Sequence, residues 1–209
     1  MSIKGEATRE KIISAAEALV LDRGYAGTSL DDLLKVTGLT KGAFFHHFKC
    51  KADLSRAIIE RYAEADLGDF RAWSERADRL SDDPLERVLI FLKLIEESFQ
   101  QIEGDTPPRC MFAAYLQQPS AFPQEIHAFI RDSLKQWQAI YERKFAALIA
   151  ARPPAQPVTA QALAELVTAV LQGGMILGSA FHDRDYALRQ SRQVRQYLEL
   201  LFRPAAAPH

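Results

Sequence analysis

The chain has 209 residues, 48% of them hydrophobic and 25% charged, with a formal net charge of −1. That composition is ordinary for a soluble globular protein of one or two domains, and it excludes a uniformly basic nucleic-acid coat. Two cysteines are too few for a disulfide scaffold, and the N-terminus MSIKGEATREK lacks a signal-type apolar run, so a cytoplasmic protein is expected.

Thr8 to Gly24 is the first strong helix, with Ile12, Ile13, Ala16, Leu19 and Val20 at helical spacing and Gly24 as the stop. The stretch Ser29–Phe48, SLDDLLKVTGLTKGAFFHHF, then reads as a short helix, a tight turn and a second short helix. Thr28 or Ser29 can cap the first, Asp31 and Asp32 suit its first turn, and Leu30, Leu33, Leu34 and Val36 are its expected buried face. Gly38 supplies the turn, and Thr40 caps the helix that runs Lys41-Gly42-Ala43-Phe44-Phe45-His46-His47. Two helices joined by a short Gly-containing turn are the pattern of a DNA-binding helix-turn-helix. From Leu33 to Ala52 there is no acidic residue, while Lys35, Lys41, Lys49 and Lys51 are present, which makes a local positive patch.

Cys50 to about Ala65 reads as a connector helix, followed by a polar segment around Trp73 that is a short helix or loop. Asp83-Pro84-Leu85-Glu86 starts a helix carrying Leu85, Val88, Leu92, Ile95, Phe99 and Ile102. Cys110–Gln118 is a short apolar helix closed by Pro119, and Pro123 to about Ala151 a long one. Thr159 caps a helix to Phe181, and the last runs from Tyr186 to Phe202, with a frayed tail at 204–209. No stretch approaches the roughly 18 apolar residues of a membrane span. Leu163–Phe181 is interrupted by Glu165, Thr168, Gln172 and Ser179, and reads as a buried helix. The chain is all-α.

Three segments together carry a resemblance: TREKIISAAEALVLDRGYAGTSLDDL, TGLTKGAFFHHF and KCKADL, spanning Thr8–Leu54. They resemble the DNA-binding domain of the TetR family of bacterial transcriptional regulators. The resemblance implies about nine helices. Residues 1–52 would form the helix-turn-helix DNA-binding domain and 53–209 a ligand-binding and dimerisation domain. It further implies a homodimeric, ligand-responsive regulator, most often a repressor. The sequence departs from the commonest pattern where Phe45 replaces a Tyr whose hydroxyl usually holds a phosphate, and where Cys50 replaces a Ser.

DNA contact needs phosphate donors and side chains that reach base edges. Lys41, Gly42 and Ala43 open the recognition helix, with Ala43 able to touch a thymine methyl. Thr28, Ser29, Thr40, His47 and Lys51 are phosphate candidates, His46 is a candidate for either, and Phe45 faces the core or the groove. His46 and His47 point ~100° apart on a helix and cannot easily share a metal, so neither metal nor cofactor is expected.

Phe91, Ile95, Phe99, Phe112, Tyr115, Trp137, Tyr141, Gln172 and Met175 are candidates for the pocket of an unidentified small-molecule effector. The Arg109–Phe112 and Gln172–Met175 segments resemble a subset of the family whose ligands are often small electrophiles or metabolites. Cys110, or Cys50 between two lysines at a helix start, is a candidate thiol sensor. The last two helices, about 159–181 and 186–202, carry more apolar surface than a monomer needs and are the expected dimer interface on a double-stranded operator. The pairing would place two recognition helices about 34 Å apart, or a multiple of that. Ligand binding in the body would change that spacing through the connector helix. No catalytic constellation is recognisable, and His182-Asp183-Arg184 reads as a polar linker, so an enzyme is not expected.

Overall fold

The computed structural model describes residues 3–118 and 121–203, with side chains from residue 5 onward. Among these residues there are nine α-helices and no strand: α1 (Ile3–Arg23), α2 (Leu30–Thr37), α3 (Lys41–His47), α4 (Lys51–Leu80), α5 (Pro84–Gln100), α6 (Met111–Leu116), α7 (Gln124–Ala151), α8 (Ala160–Phe181) and α9 (Tyr186–Leu201). Pro119 and the tail at 204–209 lie outside the described residues.

The largest departure from the sequence reading is α4. It does not end near Ala65, and the polar segment around Trp73 is not a loop. One helix of 30 residues runs to Leu80. Its buried stripe continues through Ala63, Phe70, Ser74 and Ala77, at seven-, four- and three-residue steps, while Glu64, Asp69 and Arg71 are exposed. The acidic run is therefore the solvated face of a continuing helix.

Two smaller corrections concern α2 and α8. Val36 is 60% exposed, and Thr37 takes its place in the core, its Oγ1 donating to the Leu33 carbonyl at 2.7 Å. A 100° step explains this, since 30, 33, 34 and 37 share a face that 36 does not. Helix α8 was expected to be buried, yet only one stripe of it is, made by Leu163, Val167, Leu171, Gly174, Met175 and Gly178. Leu166, Ile176, Leu177 and Phe181 are exposed. By length and apolarity α8 could cross a membrane, a weak sign that the core helices of soluble proteins also give.

The chain forms two compact units. One takes the chain up to Asp66 together with Cys110–Asp132, and the other takes Leu67–Arg109 together with the chain from Ser133 on. This partition differs from a cut at residue 52, because α4 and α7 each contribute to both units. In the first unit, Ile12, Ile13, Ala16 and Val20 of α1 are buried with Leu33, Phe44, Phe48, Ile58 and Ile59. Arg61 of α4 donates to the Glu10 and Glu17 carboxylates and to the Ser14 hydroxyl, which fixes α4 on α1. Tyr115 stacks on Phe122 with centroids 4.3 Å apart, Tyr25 lies 4.2 Å from Phe122, and the Tyr115 hydroxyl donates to the Ser55 carbonyl at 3.1 Å.

The second unit has an aromatic centre in which Phe70 lies parallel to Trp137 at 5.2 Å and edge-on to Phe91 and Tyr141. Glu96 on α5 is fully buried. It accepts from Ser191 Oγ at 2.9 Å and from Arg195 at 2.8 and 3.2 Å, which joins α5 to α9. A Cβ on Gly174 would stand 3.0 Å from the Ala187 Cα, so this glycine sets how closely α8 and α9 approach. The loop His182-Asp183-Arg184 has structural work. Asp183 pairs with Arg189, and Arg184 donates to the carbonyls of Gln100, Ile102 and Gly104 at the end of α5.

Two stability predictions follow from these contacts. Replacing Glu96 by Ala strands the Ser191 hydroxyl and the Arg195 guanidinium, and is expected to cost about 3 kcal/mol in urea unfolding. Glu96→Gln, which keeps an acceptor for Ser191, should cost less, and an unchanged midpoint for both would contradict the account. Gly38 has φ +67°, so Gly38→Ala should cost about 1 kcal/mol and lower the thermal midpoint of the first unit, while Gly38→Asn is better tolerated.

Candidate nucleic-acid interface

Helix α3 has only seven residues, too few for a helix to persist alone in water, so its position is fixed by its ends and its buried face. Upstream, Ser29 caps α2 in a reciprocal box. Its hydroxyl oxygen accepts from Asp32 N at 3.0 Å, and the Asp32 carboxylate accepts from the Ser29 amide at 3.1 Å. The Ser29 hydroxyl, and then the Ser29 amide, hold the Asp32 carboxyl below its ordinary pKa. Gly38 closes α2 in the left-handed region, its amide donating to the Leu34 carbonyl at 2.9 Å. Thr40 then caps α3, its Oγ1 accepting from Ala43 N at 3.2 Å. Phe44 and Phe48, one turn apart, are buried, and the Arg9 guanidinium lies 5.3 Å from the Phe48 ring centre.

With Phe44 and Phe48 turned inward, Lys41, Gly42, Phe45 and His46 are left exposed, and Ala43 and His47 half-buried. Phe45 is 50% exposed and meets the edge of Phe44, so it stands outside the core. His46 and His47 meet edge to face at 5.1 Å, and His47 Nδ1 is buried without a hydrogen-bond partner among the described residues. Lys41 lies 3.7 Å from Asp31, both on the surface, a weak pair that leaves the ammonium available.

The hydroxyl and lysine candidates divide by what already occupies them. Thr28 is buried, and its Oγ1 donates to the Gly24 carbonyl at 2.9 Å. Ser29 and Thr40 are exposed caps. The Lys51 ammonium donates to the Tyr25 carbonyl at 3.0 Å and sits 4.1 Å from the Tyr25 ring centre, and burial lowers its pKa. Lys49 was not singled out as a contact residue, although it lies in the acid-free stretch. It is exposed, and its amide donates to the Asp53 carboxylate at 3.1 Å, which orders the start of α4.

Beside α3 lies an apolar cleft of about 290 Å³ lined by Leu30, Leu33, Phe44, Phe45 and Leu54, with Lys49, Cys50 and Lys51 also on its wall. Cys50 is exposed and Cys110 buried. Cys110 stands at the start of α6 without capping it, and the Tyr62 hydroxyl lies 3.8 Å from its Sγ.

The nine effector-pocket candidates are divided between the two units. Phe112 and Tyr115 belong to the first and are fully buried. Phe91, Ile95, Trp137, Tyr141 and Met175 are buried in the second, where Phe91, Trp137 and Tyr141 meet around Phe70. Phe99 and Gln172 are half-buried there.

Comparison with known proteins bears on this arrangement. The family model described as bacterial regulatory proteins, tetR family, matches residues 12–58, from the middle of α1 into α4. The transcriptional regulator AcuR of Cereibacter sphaeroides is 28% identical over 129 residues, 62% of this chain. The match spans 57% of AcuR's length. The HTH-type transcriptional regulator LmrA of Bacillus subtilis is 28% identical over 174 residues, 81% of this chain and 85% of LmrA. Among solved structures, a TetR-family transcriptional regulator from Agrobacterium tumefaciens superposes with a TM-score of 0.78 at 22% identity, over 92% of this chain and 98% of that one, which shows the shared fold. The matched segment, residues 12–58, is that of the tetR family of bacterial regulatory proteins, and these relatives support a TetR-family regulator.

Proposed function

We propose that this protein is a transcriptional repressor that binds double-stranded operator DNA as a homodimer and is released by a small-molecule effector. The observation that carries the DNA reading is the exposed row Lys41, Gly42, Phe45 and His46, held on the buried pair Phe44 and Phe48. Small residues at Gly42 and Ala43 let the helix enter a major groove, Lys41 and the first-turn amides meet phosphate, and His46 reaches a base edge or a phosphate. Lys49 and Lys35 extend the positive face. Lys51 works mainly by bracing Tyr25, and Thr28 by closing the turn after α1.

The dimer reading rests on α8 and α9, where Leu166, Ile176, Leu177, Phe181, Tyr197 and Leu200 are exposed in the single chain. Aligned apolar residues of this kind are what a self-complementary helical interface buries. In this reading residues 1–52 read DNA and the rest binds effector and partner. The effector acts only through its differential affinity for two arrangements of the protein. Protein and DNA meet in the cytoplasm, and no reaction is catalysed. A thiol-sensing variant of the reading favours Cys50 over Cys110, because Cys50 is exposed on the wall of the cleft beside α3.

Selecting bound sequences from a random DNA pool should yield an inverted repeat. On that site Lys41→Ala is expected to weaken binding and reduce the salt slope by about 1. Phe45→Tyr should strengthen binding by restoring a phosphate donor. Unchanged, salt-insensitive affinity in Lys41→Ala, His46→Ala would reject the assignment. In sedimentation, Leu166→Glu with Ile176→Glu should convert dimer to monomer; a dimer that persists would move the interface elsewhere. Release of DNA by a quinone in wild type and Cys110→Ser, but not in Cys50→Ser, would establish the thiol variant.

A further inference from the structure

In the second unit two pockets share Arg143, one between the later part of α4 and α7 and a smaller one that reaches α5, and they are taken together as one groove. Its wider part, about 320 Å³, is lined by Leu67, Arg71, Glu75, Ala139, Ile140 and Arg143. A narrower part of about 170 Å³ shares Arg143 and is closed by Asp78, Arg87 and Lys144. None of the nine effector-pocket candidates lines either part. The two parts differ in chemistry. The wide part offers Leu67, Ala139 and Ile140 as an apolar floor, and the narrow part gathers three cations against one carboxylate.

The narrow end is built around a buried charge. Lys144 is 7% exposed, and its ammonium donates to the Ser74 carbonyl at 3.0 Å and to Asp78 at 2.8 Å, above the Phe91 ring. Asp78 is also within 4.0 Å of Arg87, whose guanidinium pairs more closely with the exposed Asp82 at 3.3 Å, so within the pocket Asp78 is the one carboxylate facing the cations. Arg143 and Arg71 make no ion pair among the described residues, and Glu75 faces Arg79 at 3.9 Å on the surface. Arg87 and Arg143 both act on Lys144 as like charges. Cations brought together in a concave, partly desolvated place favour an anion, and a guanidinium fork suits a carboxylate or a phosphate.

We infer that this groove binds an amphiphilic organic anion, with a carboxylate or phosphate-monoester head among Arg87, Arg143 and Lys144 and an apolar body over Leu67, Ala139 and Ile140. The site stands whether or not the chain regulates transcription, since its occupancy is measured without DNA. Arg143 has a distinct part, because it is the residue common to both ends and has no carboxylate partner of its own among the described residues. Glu75 is the one carboxylate in the wide part, and it opposes an anionic ligand.

The test is isothermal titration of the full chain with octanoate, octyl phosphate and uncharged 1-octanol. At least one of the two anions should bind saturably and more tightly than octanol, and which one does assigns the head group. Arg143→Gln should weaken that binding about tenfold, the loss of one charge-assisted contact. Ala139→Glu, which puts a like charge on the exposed floor, should abolish it, and Glu75→Gln should strengthen it. These side chains are exposed, so the variants should share the wild-type unfolding midpoint, which the same samples report. Binding of neither anion, octanol binding as tightly as both, or unchanged affinity in Arg143→Gln and Ala139→Glu would each overturn the inference. Loss of operator binding with intact octanoate binding would remove the regulatory reading and leave this site.

Discussion

A seven-residue helix has to be held by everything around it, and most of the first unit answers that constraint. The backbone bonds within α3 cannot offset the entropy of ordering it. What holds it is the burial of Phe44 and Phe48, the latter beneath Arg9 of α1, two side-chain caps three residues ahead of the amides they serve, and a left-handed glycine that ends α2. Each phenylalanine buried there contributes about 1.5–3 kcal/mol. The caps contribute on the order of 1 kcal/mol each. The exposed row on α3 is thus a by-product of strong inward packing, which leaves the outward residues free to be chosen for something other than stability.

The same constraint explains why polar residues near α3 are spent on structure. Thr28 closes the turn at Gly24, Ser29 locks with Asp32, and Lys51 is held on Tyr25. Tyr25 also belongs to the aromatic group with Tyr115 and Phe122, and Ala26 N donates to Gln118 Oε1 at 2.9 Å. The loop after α1 is therefore gripped from two sides, by the start of α4 and by the segment that follows α6.

Much of this was legible in the sequence, for identifiable reasons. The caps Thr40, Asp83 and Thr159 appear where side-chain chemistry and chain order predict them, and of the two candidates Thr28 and Ser29 it is Ser29 that caps α2, because a cap is a local event. The inward turn of Phe44 and Phe48 follows from their four-residue spacing. The continuation of α4 past Ala65 was not legible, since an acidic run at a solvated face looks the same as a helix end until the stripe Phe70, Ser74 and Ala77 finds its neighbours. Nor could spacing show that Phe112 packs with Tyr62 and Tyr115 with Tyr25 and Phe122, while Phe91, Trp137 and Tyr141 pack with Phe70. Periodicity reports that a side chain is buried and is silent about which partner buries it.

The glycines of α8 show how one sequence signal can divide between two causes. Gly174 and Gly178 lie on the buried stripe, where an added Cβ would meet Ala187 and the Asp183 carbonyl at 3.0 Å. Their cost in helix propensity, about 1 kcal/mol each, is offset by the close approach of α9. Gly173 is different, since among the described residues nothing beyond its chain neighbours and its own helix backbone lies within 4 Å of the Cβ it lacks. It sits one residue round the helix, in line with the exposed Leu166, Ala169 and Ile176 at three- and four-residue steps. Packing inside the chain therefore accounts for two of the three glycines. The third falls on the face that a second copy of the chain would cover in the proposed dimer, where a missing side chain lets two helices approach as α8 and α9 do within one chain.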